Sequence, residues 1–215
     1  MRKELHIALC LFTALTVSIL YSCGPSSREK QESYLSAENT PSVNNFTLEE
    51  TFEADTLSHE QLNVFQQRAQ QKTEDFISYI EIISNKSYDS LMRLEAKKQI
   101  EDLFADSSTL INVAVDKSGK YPTHLYEFIN EVYESKYDSI KIKTGSVIMS
   151  PPQKAEENAY NGSLTAEMNV IGYKNAQISF NSEVIHEVKT IIRKTQKQFG
   201  NDTRKIWTVT LGEFK

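Results

Sequence analysis

The chain has 215 residues, a length that favours one or two domains. Hydrophobic residues make up 39% and charged residues 25%, while glycine and proline number only 7 and 5. This composition is that of an ordinary folded domain and excludes a collagen-like or largely low-complexity protein. The net charge is −5. A protein that binds nucleic acid would instead cluster lysine and arginine, so we expect no nucleic-acid partner.

The N-terminus has the pattern of a bacterial export signal. Arg2 and Lys3 precede a mostly apolar stretch from Ile7 to Tyr21. That stretch has the length of a signal-peptide core and is short for a membrane-spanning helix. It ends in the sequence LYSC, in which the last residue is Cys23. This ending resembles the lipobox of bacterial lipoproteins, although Tyr21 stands where a small residue is usual.

The resemblance implies that residues 1–22 are cleaved off and that the thiol and amine of Cys23 are acylated. Several acyl chains anchor a protein durably, because each buried methylene contributes about 0.8 kcal/mol and a single chain is marginal. We therefore expect a lipid bilayer as a partner and a mature protein that faces the periplasm. Gly24 and Pro25 form no acidic retention signal, which favours the outer membrane of a Gram-negative bacterium. The alternative is an uncleaved membrane anchor with a free Cys23.

Residues 23–57 are predicted to form a flexible tether. They are rich in serine, glutamate, asparagine and threonine, contain Pro25 and Pro41, and show no sustained hydrophobic period. Such a composition buries too little apolar surface to offset the entropy of ordering the chain. The alternative is a short docked strand near Phe46 to Phe52.

A single folded domain is predicted for residues 58–215, and it contains three helices. Ser58 and Gln61 fit a capping box for a first helix from residue 59 to about residue 84. A second helix ends near Ala105, and Thr123 would cap a third, shorter helix. Each helix has an apolar stripe of the kind that packs on a core. The stripes are Leu62, Phe65, Ala69, Phe76, Ile80 and Ile83, then Leu91, Ala96, Ile100, Leu103 and Phe104, then Leu125, Phe128, Ile129 and Val132.

Five strands are predicted, one before the third helix and four after it. The first is a β-branched run, and the later ones alternate apolar and polar residues. We expect Pro151 and Pro152 to end the second strand, and a bulge near Asn181 to Glu183 in the fourth. The last strand places Trp207, Val209 and Leu211 on one face. The predicted strands lie at residues 109–115, from 140 to the prolines, and at 160–170, 178–192 and 206–211.

This order of elements predicts an α+β fold, with three N-terminal helices packed on a strongly curved, mostly antiparallel sheet. The order, with the terminal strand IWTVTLGEF, resembles the nuclear-transport-factor-2-like group, which shares a cone-shaped, cystatin-like fold with SnoaL-like domains. The resemblance covers about residues 58–215. Known members include enzymes, small-ligand binders and assembly modules, so the fold does not choose a function.

The sequence contains none of the common catalytic, metal or nucleotide motifs. HExxH, CxxC, GxSxG, GxxxxGK[ST] and GxGxxG do not occur, so we expect no cofactor and no metal site. His186 is the tentative catalytic candidate, as a general base in a pocket at the wide end of the cone. Glu183 or Glu187 would orient it. The alternative, which we favour, is a hydrogen-bonded histidine on a sheet face.

Two further predictions concern binding and modification. Tyr160, His186 and Trp207 are candidate pocket-lining residues, because aromatic rings with a polar tip suit binding sites. They would also suit half-buried strands. Thr56, in Asp55-Thr56-Leu57, resembles the short O-glycosylation signal of Bacteroidetes-type envelope proteins. A tether is accessible, so Thr56 is the candidate site.

These observations favour a lipid-anchored, non-catalytic binding or assembly module. It would bind an envelope protein or a small ligand through the cone mouth or the outer sheet face. The alternative is a small acid–base enzyme of the SnoaL-like kind that uses the pocket and His186. A third hypothesis is a homodimer that uses the sheet as its interface.

Overall fold

The computed structural model describes residues 54–117 and 122–215. The predicted signal segment, Cys23 and most of the predicted tether lie outside the described residues.

Three helices are present, as predicted, and the first begins at its predicted cap. The helices are α1 (His59–Ser84), α2 (Ser90–Glu101) and α3 (Leu125–Tyr133). At the start of α1, the Ser58 hydroxyl accepts from the Gln61 backbone N–H at 3.2 Å. The Ser58 N–H donates to the Gln61 side chain at 2.8 Å. The predicted capping box is therefore confirmed, because both of its reciprocal hydrogen bonds are present.

The cap predicted for α3 is wrong. His124 precedes the helix, makes no side-chain capping bond, and leaves Thr123 one residue further out. The Thr123 hydroxyl is buried and has no hydrogen-bond partner among the described residues. Instead, the Leu125 N–H donates to the Thr109 carbonyl at 2.8 Å. A tertiary backbone contact thus satisfies a donor at this helix end in place of a local side chain.

Six strands of the described residues form one sheet. The strands are β1 (Leu110–Ile111), β2 (Thr123–His124), β3 (Ser139–Glu156), β4 (Ala159–Lys174), β5 (Gln177–Phe199) and β6 (Asp202–Phe214). Their order across the sheet is β2-β1-β6-β5-β4-β3. All neighbouring pairs are antiparallel except the short parallel bridge between β1 and β6. The helices pack on this curved sheet, so the predicted α+β class is confirmed.

The first strand is shorter than its β-branched run predicts. Pairing stops after Ile111, except that the Asn112 N–H donates to the Phe214 carbonyl at 3.2 Å. Val113 and Val115 are nevertheless buried. The β-branched residues of this run therefore serve core packing rather than a longer strand.

The prediction that the two prolines end their strand is wrong, because β3 continues through them to Glu156. This strand lies at the edge of the sheet, where a missing N–H leaves no ladder partner unsatisfied. The pairing with β4 shifts between Ser150 and Gln153, so the prolines sit in an irregular step.

The bulge in β5 lies two residues before its predicted place. Consecutive residues Gly172 and Tyr173 of β4 pair with Phe180 and Ile178, which leaves Ser179 unpaired. In a regular strand Ile178 and Phe180 would share a face. The extra residue separates them, so that Phe180 is buried while Ile178 remains 62% exposed.

Two hydrophobic clusters fill the fold. The larger one joins all three helices to the sheet and contains Phe76, Phe104, Phe128 and Phe214, whose rings lie 5.0–6.1 Å apart. The smaller one gathers around Trp207 where the first half of α1 crosses the sheet.

The predicted stripe of α2 needs one correction. Leu91 is 77% exposed, while Ala96 and Ile100 are buried. At about 100° per residue, Leu91 lies nine positions and therefore about 180° from Ile100. It belongs to the opposite side of the helix.

Candidate functional site

A cavity of about 230 Å³ lies between α1 and the inner face of β3 and β4. Ile77, Leu164 and Ala166 form a buried apolar floor. Glu74 and Thr144 are exposed and form a polar mouth. The remaining lining residues are Gln70, Thr73, Gly145 and Val147.

The periods of the helix and the strand place these residues together. Gln70, Thr73, Glu74 and Ile77 are three, four and seven positions apart, so they share one face of α1. The Gln70 amide donates to the Glu74 carboxylate at 3.0 Å, which fixes both side chains near the mouth. The Thr73 hydroxyl donates to the Ala69 carbonyl at 3.0 Å, so its polar atom is satisfied inside the helix.

His186 lies beside this cavity without lining it. It faces inward on β5, in register with Ala166 of the cavity floor, and is only 2% exposed. Burial lowers the pKa of His186 below 6.5, and a hydrogen bond with the backbone of Lys215 opposes that shift. Its Nδ1 has no hydrogen-bond partner among the described residues. Burial of the ring therefore favours the neutral form of the imidazole.

The glutamates predicted to orient His186 point away from it. Glu183 and Glu187 are three and one positions from His186, and side chains alternate between faces along a strand. Both are exposed on the outer face of β5, opposite the buried imidazole. The sequence alone could have shown this, because residues separated by an odd number of positions in a regular strand lie on opposite faces of the sheet.

Tyr160 and Trp207, predicted as pocket lining, lie in the smaller hydrophobic cluster. They are 6% and 0% exposed, and their ring centroids are 5.5 Å apart. Phe65 of α1 and Leu57 cover them. Neither residue lines the cavity between α1 and the sheet.

The segment just before α1 docks on this cluster. The Trp207 indole N–H donates to the Ala54 carbonyl at 2.7 Å, and the Lys194 ammonium donates to the same oxygen at 3.0 Å. Lys194 also contacts the Asp55 carboxylate at 3.3 Å. Within the described residues, contacts with the sheet thus already occur at Ala54, four residues before the domain boundary predicted at residue 58. Thr56 is exposed within this segment.

A second, more open groove of about 320 Å³ lies on the outer face of the sheet. Its lining is polar and includes Glu187 and Lys189 of β5 together with Glu213 and Lys215. The Lys215 ammonium lies 3.4 Å from the Glu213 carboxylate. Acidic and basic side chains alternate across this groove. Its charges therefore do not favour either an anionic or a cationic ligand.

Residues 54–117 and 122–215 contain no group of three or more histidine, cysteine, aspartate or glutamate side chains that could hold a metal ion. None of the helices in these two ranges is both long and apolar enough to cross a bilayer.

Several solved structures are similar to this chain at low identity. A nuclear transport factor 2 (NTF2-like) superfamily protein from Salmonella enterica is 14% identical, with 71% of this chain and 94% of that chain covered and a TM-score of 0.35. The hexachlorocyclohexane dehydrochlorinase LinA-type3 from Novosphingobium barchaimii is 8% identical, with 71% and 89% covered and a TM-score of 0.34. The structure of the C. albicans Mtr2–Mex67 M domain complex is 10% identical, with 70% of this chain and 96% of that chain covered and a TM-score of 0.36.

No protein-family model matches the sequence, and no curated protein is detectably similar to it. Similarity to solved structures at these identities and TM-scores carries no inference about activity.

Proposed function

We propose that this protein is a lipid-anchored envelope protein whose folded domain binds a small molecule, without catalysis, in the cavity between α1 and the sheet. The LYSC sequence that ends at Cys23 supports the anchor. The cavity supports the binding function, because an apolar floor with a few polar groups at the mouth is the usual form of a ligand site.

The cavity also limits the kind of ligand. Its volume of about 230 Å³ suits a small molecule. The buried floor around Leu164 and Ala166 suits an apolar end, and the mouth at Glu74 and Thr144 suits a group that donates hydrogen bonds. We therefore expect a small amphiphilic ligand whose polar end carries donors.

Binding is favoured over the acid–base alternative by the position of His186. An acid–base group must come within hydrogen-bond reach of its substrate. His186 is 2% exposed and does not line the cavity. Among the described residues that line the cavity, Glu74 is the only carboxylate, and it accepts a hydrogen bond from Gln70. A lone, solvated carboxylate serves recognition better than proton transfer.

The anchor is tested by replacing the cysteine in the full chain. In the native host, the wild-type protein is expected in the membrane fraction with fatty acyl groups on Cys23, as measured by intact mass. Cys23→Ser should lose the acyl mass, and Cys10→Ser, in the cleaved segment, should keep it. A wild-type protein that retains Met1 and carries no acyl group would contradict the anchor.

The binding function is tested by closing the cavity at its mouth. Thr144→Trp adds a large ring at an exposed lining position and leaves the core unchanged. Lys143→Trp is the matched control, because the neighbouring residue of the same edge strand faces the other way. In protein purified from its native membrane, a small molecule seen by native mass spectrometry should be lost from the first variant and kept in the second. Equal occupancy in both variants, or none in the wild-type protein, would refute the proposal.

A further inference from the structure

The hairpin formed by the end of β5 and the start of β6 projects beyond the rest of the sheet. The pairing of β4 with β5 stops at Arg193, and from there to the tip, within the described residues, β5 and β6 pair only with each other. Every residue from 196 to 205 is exposed. At the usual rise per residue, the Phe199–Asp202 pair at the tip lies roughly 20 Å beyond Arg193. A two-stranded hairpin that stands alone is marginally stable in water, so a projection of this length is suited to meeting another surface.

The hairpin is strongly basic, which the acidic net charge of the chain conceals. Residues 193–205 contain five basic residues and one acidic residue, a net charge of +4 in a chain whose total is −5. Lys197 and Arg204 are direct cross-strand partners, so their side chains extend from the same face of the hairpin. Lys194 is ion-paired with Asp55 at 3.3 Å. The other basic residues are all exposed, and they are Arg193, Lys197, Arg204 and Lys205.

The acidic residues of the neighbouring turn lie beside the base of the hairpin and not at its tip. Glu156 and Glu157 come just before Ala159, which pairs with Arg193. The tip is therefore roughly 20 Å from them, at the usual rise per residue. Charges in solution are screened over roughly 8 Å at physiological ionic strength. These carboxylates therefore reduce the positive potential at the base more than at the tip.

An exposed aromatic ring lies at the tip of this basic hairpin. Phe199 is 51% exposed, beside the turn that contains Gly200 and Asn201. Aromatic rings are favoured at the interface between lipid headgroups and hydrocarbon, and lysine and arginine side chains bind anionic lipids around them. One apolar group at the end with cations behind it therefore fits the surface of a bilayer that contains anionic lipid.

The first described residue of the chain lies at the base of the same hairpin. The Ala54 carbonyl accepts hydrogen bonds from Trp207 and Lys194, which pair with each other across the two strands. Thirty residues separate Ala54 from Cys23. A chain of this length spans at most roughly 100 Å. A bilayer that holds Cys23 is therefore within reach of the hairpin, and attachment to it raises the effective concentration of the lipid surface.

We propose that this hairpin is a second membrane contact, in which Phe199 enters the interface of a bilayer containing anionic phospholipid while Lys197, Arg204 and Lys205 bind lipid phosphates. Each basic residue near an anionic surface strengthens such binding roughly fivefold. The folded domain makes this contact itself, so the inference goes beyond the proposed anchor, on which it rests only for bringing the bilayer near. The contact orients the domain with the β5–β6 hairpin toward the lipid and the turn between β4 and β5 away from it.

The contact is tested with a fluorescent label that reports a change from water to lipid. By the proposed function, the mature protein has lost Cys10 and carries acyl groups on Cys23, so Asn201→Cys introduces its only free thiol. An environment-sensitive fluorophore is attached there, beside the tip. Gln177→Cys, exposed at the opposite end of β5, is the matched control. Both proteins are incorporated into vesicles of phosphatidylcholine alone, or of phosphatidylcholine and phosphatidylglycerol in equal parts.

We expect the emission of the label at residue 201 to shift to shorter wavelength on the anionic vesicles only, and the label at residue 177 to shift on neither. Flotation with the neutral vesicles tests the anchor separately. If flotation requires phosphatidylglycerol, the anchor has failed and the hairpin contact stands; Cys10→Ser and Cys23→Ser then keep the label single. No shift of the label at residue 201 on anionic vesicles, or equal shifts of both labels, would overturn the proposal.

Charge variants of the protein labelled at residue 201 test the part played by the basic residues. Lys197→Gln with Lys205→Gln should lower the ratio of shifted to unshifted label about thirtyfold. Lys86→Gln with Lys174→Gln removes the same charge from exposed positions outside the hairpin and should leave the ratio unchanged. Melting temperatures show that the variants are folded. Equal ratios for the two folded double variants mean that the hairpin charges do not bind the lipid, and the proposal is then wrong.

Ring variants of the same labelled protein distinguish a bilayer from other anionic partners. Phe199→Ala should lower the ratio of shifted to unshifted label, and Phe199→Trp should retain it, because either aromatic ring suits the lipid interface. If Phe199→Ala has no effect while the charge variants do, the hairpin is a general site for polyanions such as nucleic acid, and the membrane contact is refuted.

Discussion

At the scale of single residues, His186 is a structural group whose protonation opposes folding. Burial lowers its pKa below the ordinary value of 6.5. Below that pH the unfolded imidazole binds a proton that the folded one does not, so its stabilising effect is complete above pH 6.5 and is lost as the pH falls. We expect the free energy of unfolding to decrease as the pH falls below 6.5, and His186→Gln to reduce that slope. Urea unfolding at several pH values measures this pH dependence in the wild-type protein and in the variant. Equal slopes for the two proteins would contradict a lowered pKa of His186 in the folded state.

The same burial predicts the effect of truncating His186. His186→Ala removes a ring that is 2% exposed and leaves the backbone of Lys215 without its partner. We expect a loss of about 1–3 kcal/mol in the free energy of unfolding. Thermal and urea unfolding measure it. An unchanged melting temperature would instead support the enzyme alternative, in which His186 has a chemical role.

Trp207 has a measurable role in holding the segment before α1. Trp207→Phe keeps most of the packing but loses the 2.7 Å bond to the Ala54 carbonyl. We expect a cost of about 1 kcal/mol and faster hydrogen exchange in residues 54–57. Asp55→Ala is the control: it removes only an exposed ion-pair partner and should cost less than about 0.5 kcal/mol. Equal effects of the two variants would contradict the role of the indole.

At the scale of elements, the turn between β4 and β5 contains avoidable strain. Asn175 and Ala176 have φ values of 51° and 60°, in the left-handed region that alanine adopts at a cost of about 1 kcal/mol. Ala176→Gly removes that cost and increases the entropy of the unfolded chain, so we expect a net gain of about 0.5 kcal/mol. Thermal unfolding measures the gain.

Gly200 in the next turn is the matched comparison. It has a φ of 60° and no atom near the place of a Cβ, so Gly200→Ala introduces the strain without a clash. We expect Gly200→Ala to lower the melting temperature and Ala176→Gly to raise it. If both variants shift the melting temperature in the same direction, backbone strain at these positions is not the cause.

Element-level prediction succeeded where the signal is local. The capping box of Ser58 and the alternation that buries Leu164, Ala166 and Met168 depend only on neighbours in the sequence. The continuation of β3 through Pro151 was missed because a proline ends a central strand but not an edge strand. Edge position depends on the order of strands, which no local pattern specifies.

At the scale of the whole molecule, α1 joins two hydrophobic clusters of unequal size. Its first half packs on the smaller cluster through Phe65 and Ala69, and its second half packs on the larger one through Phe76 and Ile80. We expect the amides of the first half to exchange faster, because fewer apolar contacts protect them. Hydrogen exchange with mass spectrometry checks this, and equal protection along the helix would contradict it.

The candidate site shows the limit of sequence reasoning at this scale. The face of α1 that carries Glu74 and Ile77 followed from helical period, but its position opposite Thr144 did not. Tyr160 and Trp207 were expected in a pocket because their chemistry suits one. Neighbours distant in the chain bury them instead, and Ala54, which Trp207 binds, is 153 positions away.

The sequence by itself determined the helices, the alternating strands and the α+β class, because periods of 3.6 and 2 residues are properties of neighbouring side chains. It also carried the pattern that ends at Cys23. Tertiary structure alone decided the strand order, the two hydrophobic clusters, the cavity and the burial of His186. These depend on which distant surfaces exclude water together, and contacts of that kind leave no local period in the chain.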